Sequence, residues 1–221
     1  EISRPRVPGV PELDAALGQH DLFSGGLKLI QDTRDIPFQP SQGYYNAGGY
    51  EQVFGTFDYA RFDVDFRRYF LLAERPDGSG RHVFGISNKL GFSGEDTPIF
   101  ENYFAGGFST LRGFDFRRAS PQSAVGRVTV GGRFQFLGSA EYLFPITADD
   151  MVKGVAFVDY GTVEEDIKIE SEDFRIAIGM GLRVNIPAMG PAPIALDFAV
   201  PISREESDEI RGFSFSLGTS R

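Results

Sequence analysis

The chain of 221 residues has a formal net charge of −9, which argues against a nucleic-acid partner, and it has no cysteine, which excludes a disulfide framework or a thiolate metal site. Its two histidines, His20 and His82, are too few for an imidazole metal centre, and nothing in the sequence calls for a cofactor. No stretch approaches the roughly 18 consecutive apolar residues of a transmembrane helix, which leaves transmembrane strands open because their signal is a weaker alternation.

Aromatic residues make up 14% of the chain, with 22 Phe and 27 Gly, a mixture that suits strands and tight turns better than a helical bundle. A hydrophobic content of 41% fits a barrel with a wet lumen, and equally a soluble sandwich. Residues 1–23 read as irregular or as the remnant of a preceding strand. Pro5, Pro8 and Pro11 argue against a strand there, and residues 11–17 could form a short helix. The chain opens Glu1-Ile2-Ser3, without an initiator Met or a signal peptide, as a processed or excised piece would.

From residue 24 onward the sequence predicts nine strands, at about 26–35, 44–54, 60–70, 82–92, 134–144, 152–162, 174–186, 194–202 and 213–220. In the third, Ala60, Phe62, Val64, Phe66 and Phe70 share one face, broken by Arg68, against Arg61, Asp63, Asp65, Arg67 and Tyr69. In the seventh, Phe174, Ile176, Ile178, Met180, Leu182, Val184 and Ile186 oppose Arg175, Ala177, Gly179, Gly181, Arg183 and Asn185. In the eighth, Ile194, Leu196, Phe198, Val200 and Ile202 oppose Ala195, Asp197 and Ala199. These segments exceed ordinary globular strands of about 5–6 residues and cover the roughly 9–11 that a tilted transmembrane strand needs. Turn signals separate them at Pro76-Asp77-Gly78, at 147–150 and at 187–193 with its Gly190-Pro191. The acidic runs 164–173 and 205–209 read as solvated loops.

Residues 93–131 form a connection too long for a turn and too irregular for strands, a length at which loops are usually functional. It contains Tyr103-Phe104-Ala105-Gly106-Gly107-Phe108-Ser109-Thr110-Leu111-Arg112-Gly113-Phe114. That string resembles the signature of the inward-folded loop of BamA-type outer-membrane barrels, the bacterial surface antigen family. Further resemblances follow in order: Asp32 to Asp35 with Gly43-Tyr44, Ser139-Ala140-Glu141-Tyr142, Phe157-Val158-Asp159-Tyr160-Gly161-Thr162-Val163, 179–201, and the final 213–218. Together they cover about residues 24–220.

The resemblance implies an all-β fold: the last nine strands of a sixteen-stranded, antiparallel up-and-down transmembrane β-barrel. It also implies a bacterial outer-membrane location, unfolded outer-membrane proteins as clients, and periplasmic POTRA repeats with accessory lipoproteins as partners. Carried over to this chain, Arg112 reaches Glu141 and Asp159 on the lumen wall, Gly106, Gly107 and Gly113 permit tight turns, Leu111 completes the motif, and Phe114 wedges the loop tip. The last strand, with Gly212, Phe213, Phe215 and Gly218, becomes a weakly paired seam and C-terminal signal, although the chain ends Thr219-Ser220-Arg221 where the family usually ends in an aromatic residue. The implied function is assembly and insertion of β-barrel proteins. A two-partner secretion pore or a TamA-like translocation factor shares the loop and stays open; a passive porin fits it less well. Catalysis has no support, because neither histidine has a nucleophile partner and Gly91-Phe92-Ser93-Gly94 lacks the glycine placement of a nucleophile elbow.

Overall fold

Period-two alternation is satisfied when one face of a strand meets one medium and the other face meets another. A computed structural model describes residues 9–167, 173–189 and 192–218 of the chain, and in it that alternation builds one antiparallel nine-stranded sheet. Its strands are β1 (Leu22–Asp32), β2 (Gly43–Gly55), β3 (Tyr59–Ala73), β4 (His82–Ser93), β6 (Phe134–Pro145), β7 (Val152–Glu164), β8 (Arg175–Val184), β9 (Ile194–Ser203) and β11 (Phe213–Leu217), each hydrogen-bonded to the next in that order. Two short strands, β5 (Gly113–Phe114) and β10 (Ile210–Arg211), pair with each other apart from the main sheet. Among the described residues β1 and β11 are not paired with one another, so the sheet is a curved section with two edges. Before β1, Pro11–Asp14 forms a single helical turn, with Pro at its start where no N–H is needed.

The strands lie antiparallel in chain order, so the connections alternate between the two ends of the sheet. One end carries 33–42, 74–81, 146–151 and 185–193; the other carries 56–58, 94–133, 165–174 and 204–209. The register aligns the apolar positions across strands: Leu27 faces Tyr50, Tyr50 faces Phe62 and Phe62 faces Phe92, while Met180 faces Phe198 and Phe198 faces Phe213. Among the described residues most of this face is left uncovered by protein. Leu27 is 65% exposed and Met180 69%, and Val64, Leu90 and Ile178 are exposed beside them. Aromatic rings border the middle: Tyr44, Phe70, Phe84, Tyr142 and Phe144 toward the end of 33–42 and 74–81, Phe23, Phe54, Phe92 and Phe136 toward the end of 56–58 and 94–133. An aliphatic band between aromatic girdles is the lipid-facing surface of a transmembrane barrel.

Several element ends differ from the sequence expectation for local reasons. β1 runs Leu22–Asp32 instead of 26–35; past it the Asp35 N–H still reaches the Gln42 carbonyl at 3.3 Å, but its carboxylate accepts the backbone N–H groups of Ile36 and Ser41 at 3.0 and 2.9 Å and closes a turn. β8 stops at Val184 because Asn185 donates its N–H to Met151 and Pro187 opens a 3-10 turn, Pro187–Met189. β11 begins at Phe213, where the sequence placed it, and Ile210 and Arg211 before it turn away to β5. The acidic run 205–209 is not simply solvated: Asp208 is buried against Arg175, which also meets Glu205. Pro5, Pro8, residues 168–172 of the other acidic run, Gly190-Pro191 and Thr219 to Arg221 lie outside the described residues.

Candidate functional site

The polar parity of β6 to β9 lines the concave face with Ser139, Glu141, Phe157, Asp159, Ala177, Arg183, Asp197 and Ala199. Connection 94–133 folds onto this wall. Its entry is fixed by Tyr103, whose hydroxyl donates to Asp63 Oδ1 at 2.9 Å and accepts from Arg61 Nε at 3.0 Å, with the Arg61 guanidinium 4.3 Å from the ring centre. Burial pushes the Tyr103 phenol well above its usual range, so it stays a neutral donor. Gly106 and Gly107 both take positive φ, 111° and 95°, and the Gly107 N–H bonds the carbonyls of Leu111 and Phe114 at 3.1 Å each. Leu111 is fully buried with Tyr103, Ala105, Phe114, Ala119, Leu137, Val163 and Ala177.

This packing delivers Arg112, 1% exposed, into a carboxylate cluster. Asp159 takes it at three points: Nε to Oδ2 at 2.8 Å, Nη2 to Oδ1 at 2.8 Å, and the backbone N–H to Oδ2 at 3.0 Å. Glu141 Oε1 lies 2.5 Å from Nη2, and Asp197 Oδ2 accepts from Nη1 at 3.3 Å. Ser139 donates to Asp159 Oδ1 at 2.6 Å, and the guanidinium carbon sits 3.3 Å above the centre of the Phe157 ring. Burial works against the charge on Arg112, but Glu141, Asp159 and Asp197 outweigh it and hold its proton more firmly than usual. A planar donor fork suits this cluster, since a single ammonium could not span two oxygens of Asp159 and reach Asp197 as well. Two glycines of β8 make the space. A Cβ on Gly179 would lie 2.3 Å from the Phe157 ring, and one on Gly181 would lie 2.0 Å from Asp197 Oδ1.

Beyond Arg112, Gly113 has φ +92°, and its α-carbon faces Ala177, Ala199 and Pro201, all 3.3 Å from where a Cβ would sit. Phe114 is 1% exposed in the loop core. Gly113 and Phe114 then pair with Arg211 and Ile210, and the Asp115 N–H donates to the Glu209 carbonyl at 2.8 Å. Arg211 meets Asp115 at 3.1 Å and Arg118 meets Glu209 at 2.9 Å. The loop is thus joined to the segment that leads into the last strand. Gly212 is the joint, its carbonyl accepting from the Ala199 N–H at 2.8 Å; Phe213 and Phe215 face outward opposite Phe198 and Leu196. Gly218, at φ +73°, bonds back to the Pro193 carbonyl.

Four contributors were not assigned from the sequence. Asp197 also holds Arg183, at 2.6 and 3.2 Å, and both were readable as lumen-facing by parity without any sign that they share Arg112's cluster. Arg175, 1% exposed, binds Asp208 through Nε and lies 2.8 Å from Glu205, tying 204–211 to β8; it too was on the polar face. Tyr103 stands inside the motif string, yet its anchoring to β3 is a long-range contact that no spacing reveals.

Comparison with known proteins agrees with this architecture. The outer membrane protein assembly factor BamA of Nitratidesulfovibrio vulgaris is 26% identical over 199 residues, covering 87% of this chain and 25% of that protein. The BamA of Neisseria meningitidis serogroup B is 27% identical over 166 residues, covering 62% and 20%, and the SAM50-like protein of Drosophila melanogaster is 29% identical over 126, covering 55% and 28%. The chain therefore spans about a quarter of the length of these relatives. The crystal structure of BamA from Haemophilus ducreyi lacking POTRA domains 1–3 superposes with a TM-score of 0.74 at 20% identity, over 87% of this chain and 41% of that one. The model of the Omp85 superfamily domain matches residues 6–220, and so the chain belongs to the Omp85 superfamily, with the fold of a BamA-type C-terminal barrel.

Proposed function

We propose that this chain is the C-terminal barrel portion of an outer-membrane machine that assembles and inserts other β-barrel proteins. The observation that carries the reading is the buried Arg112 clasp, which fixes a forty-residue-scale loop inside the lumen and, through β5 and β10, reaches the segment before the last strand. A passive pore has no need of a loop tied to its closing strand. The relatives named as assembly factors, and the SAM50-like relative, support the same reading. In it the chain works in the outer membrane on unfolded barrel clients, with POTRA repeats and accessory lipoproteins on the periplasmic side, and without covalent catalysis. The client's strand would add at β11, which stands last in the sheet order and pairs there with β9.

The test is to deplete the intact protein, supply the Arg112→Ala variant, and quantify folded outer-membrane proteins. A general fall in folded barrels supports the insertase. Loss of one secreted partner with normal barrels would identify a dedicated exporter instead, and no change would sink the assignment.

A further inference from the structure

The outward positions of the sheet are mostly apolar or aromatic, and basic groups are rare among them. Among the described residues Arg68 is the only arginine or lysine at an outward position of a paired strand, facing Tyr44 on β2 and Ile86 on β4, between Phe66 and Phe70 along β3. Its guanidinium carbon lies 5.5 Å from the Tyr44 ring centre and 5.3 Å from that of Phe70. No hydrogen bond or ion pair to another described residue engages it. The contrast with its neighbour is sharp: Arg67, on the inward face, is held by both oxygens of Asp65 at 2.9 and 2.6 Å.

An unpaired guanidinium is costly in hydrocarbon and nearly free of cost at headgroup depth. Tyr44, Phe70 and Phe84 mark that depth, because aromatic girdles sit at the membrane–water boundary. They belong to the girdle at the end of connections 33–42 and 74–81, which places Arg68 in the leaflet on that side, away from the end that carries the Arg112 loop. Gln31 and Asn46, opposite one another on the same outward face, extend the polarity toward β1. We propose that Arg68 seats the phosphodiester of a glycerophospholipid in this leaflet, its donor fork taking two phosphate oxygens while Tyr44 and Phe70 hold the side-chain stem. The proposal rests on the membrane-embedded reading above and adds a ligand to it.

The experiment is native mass spectrometry of the intact protein released from detergent, titrated with phosphatidylglycerol and with diacylglycerol of the same chains. Wild type should retain the phospholipid in preference to diacylglycerol. Arg68→Gln should weaken that retention about fivefold, the worth of one basic residue at a membrane surface, and Arg68→Lys should restore part of it. Equal retention of the two lipids by wild type overturns the proposal without any need for a variant, as does unchanged retention by Arg68→Gln. Displacement by inorganic phosphate would make it a free-ion site, and stronger binding of a lipid A-type glycolipid would put it in the other leaflet; either result also overturns it. Flotation with liposomes separates the two levels: a wild type that fails to float defeats the membrane reading itself, whereas one that floats without the lipid preference defeats only the seat.

Discussion

Asp159 meets Arg112 through both oxygens and through the backbone, whereas Glu141 and Asp197 each meet one nitrogen. The cluster is therefore unequal, and its members should not be interchangeable. Removing one partner of a buried pair costs about 3–5 kcal/mol, mainly by stranding the other charge. Asp159→Ala should release the loop to trypsin at Arg117 and Arg118 at least as fully as Arg112→Ala does. Glu141→Gln, at a carboxylate whose side chain is 27% exposed, should leave cleavage close to wild type. Similar cleavage in Asp159→Ala and Glu141→Gln would show that the three carboxylates share the load evenly, against this ranking. Gly113→Ala should fall between them. Its φ of +92° is strained for any residue with a Cβ, by about 1–2 kcal/mol, and the added methyl meets Ala177, Ala199 and Pro201 at 3.3 Å. Thinning the wall with Ala199→Gly should recover part of the protection but not all, since the backbone strain stays.

At the level of elements, the β5–β10 pair makes the loop and the last hairpin one unit, and Arg175 is the fastening on the hairpin side. Arg175→Ala strands Asp208 in the wall and should free 204–211. Hydrogen exchange should then rise at the Asp115 amide, which donates to Glu209, while the Arg112 amide, held by Asp159, stays protected. Protection of both amides in that variant would mean the hairpin is held by its backbone alone. This joint was not legible in the sequence. A two-residue pairing between segments so far apart leaves no periodicity, unlike the long strands, where alternation of Phe62, Val64 and Phe66 with Asp63 and Asp65 announces the pleat. Parity likewise put Asp197, Arg183 and Arg175 on the lumen face, but a partner across four strands is a matter of curvature and register, which local pattern does not encode. Strand ends were misjudged where a side chain competes for the backbone, as Asp35 does after β1, or where the chain leaves the ladder, as at Asn185.

For the whole molecule the governing fact is that the two faces of one sheet meet different media, and two adjacent glycines of β2 isolate that difference. Gly48 points outward between Leu29 and Val64, which are 68% and 49% exposed, and no atom lies within 4 Å of the Cβ position. Gly49 points inward between Lys28 and Asp63, with only the Asp63 carbonyl oxygen near, at 3.9 Å. Neither has a positive φ that a side chain would violate, so both sites accept an arginine sterically. Gly48→Arg puts a guanidinium in the aliphatic middle of the band and should lower the unfolding free energy in bilayers by about 2–4 kcal/mol. Gly49→Arg puts the same group in a polar lumen opposite Asp63 and should stay within about 0.5 kcal/mol of wild type. Urea unfolding in vesicles measures both. Because the variants are neighbours on one strand, intrinsic strand propensity and chain entropy cancel between them, leaving the medium as the variable. Equal costs would mean that both faces see water, and the exposed Leu27, Val64 and Met180 would then have to be covered by protein instead of lipid.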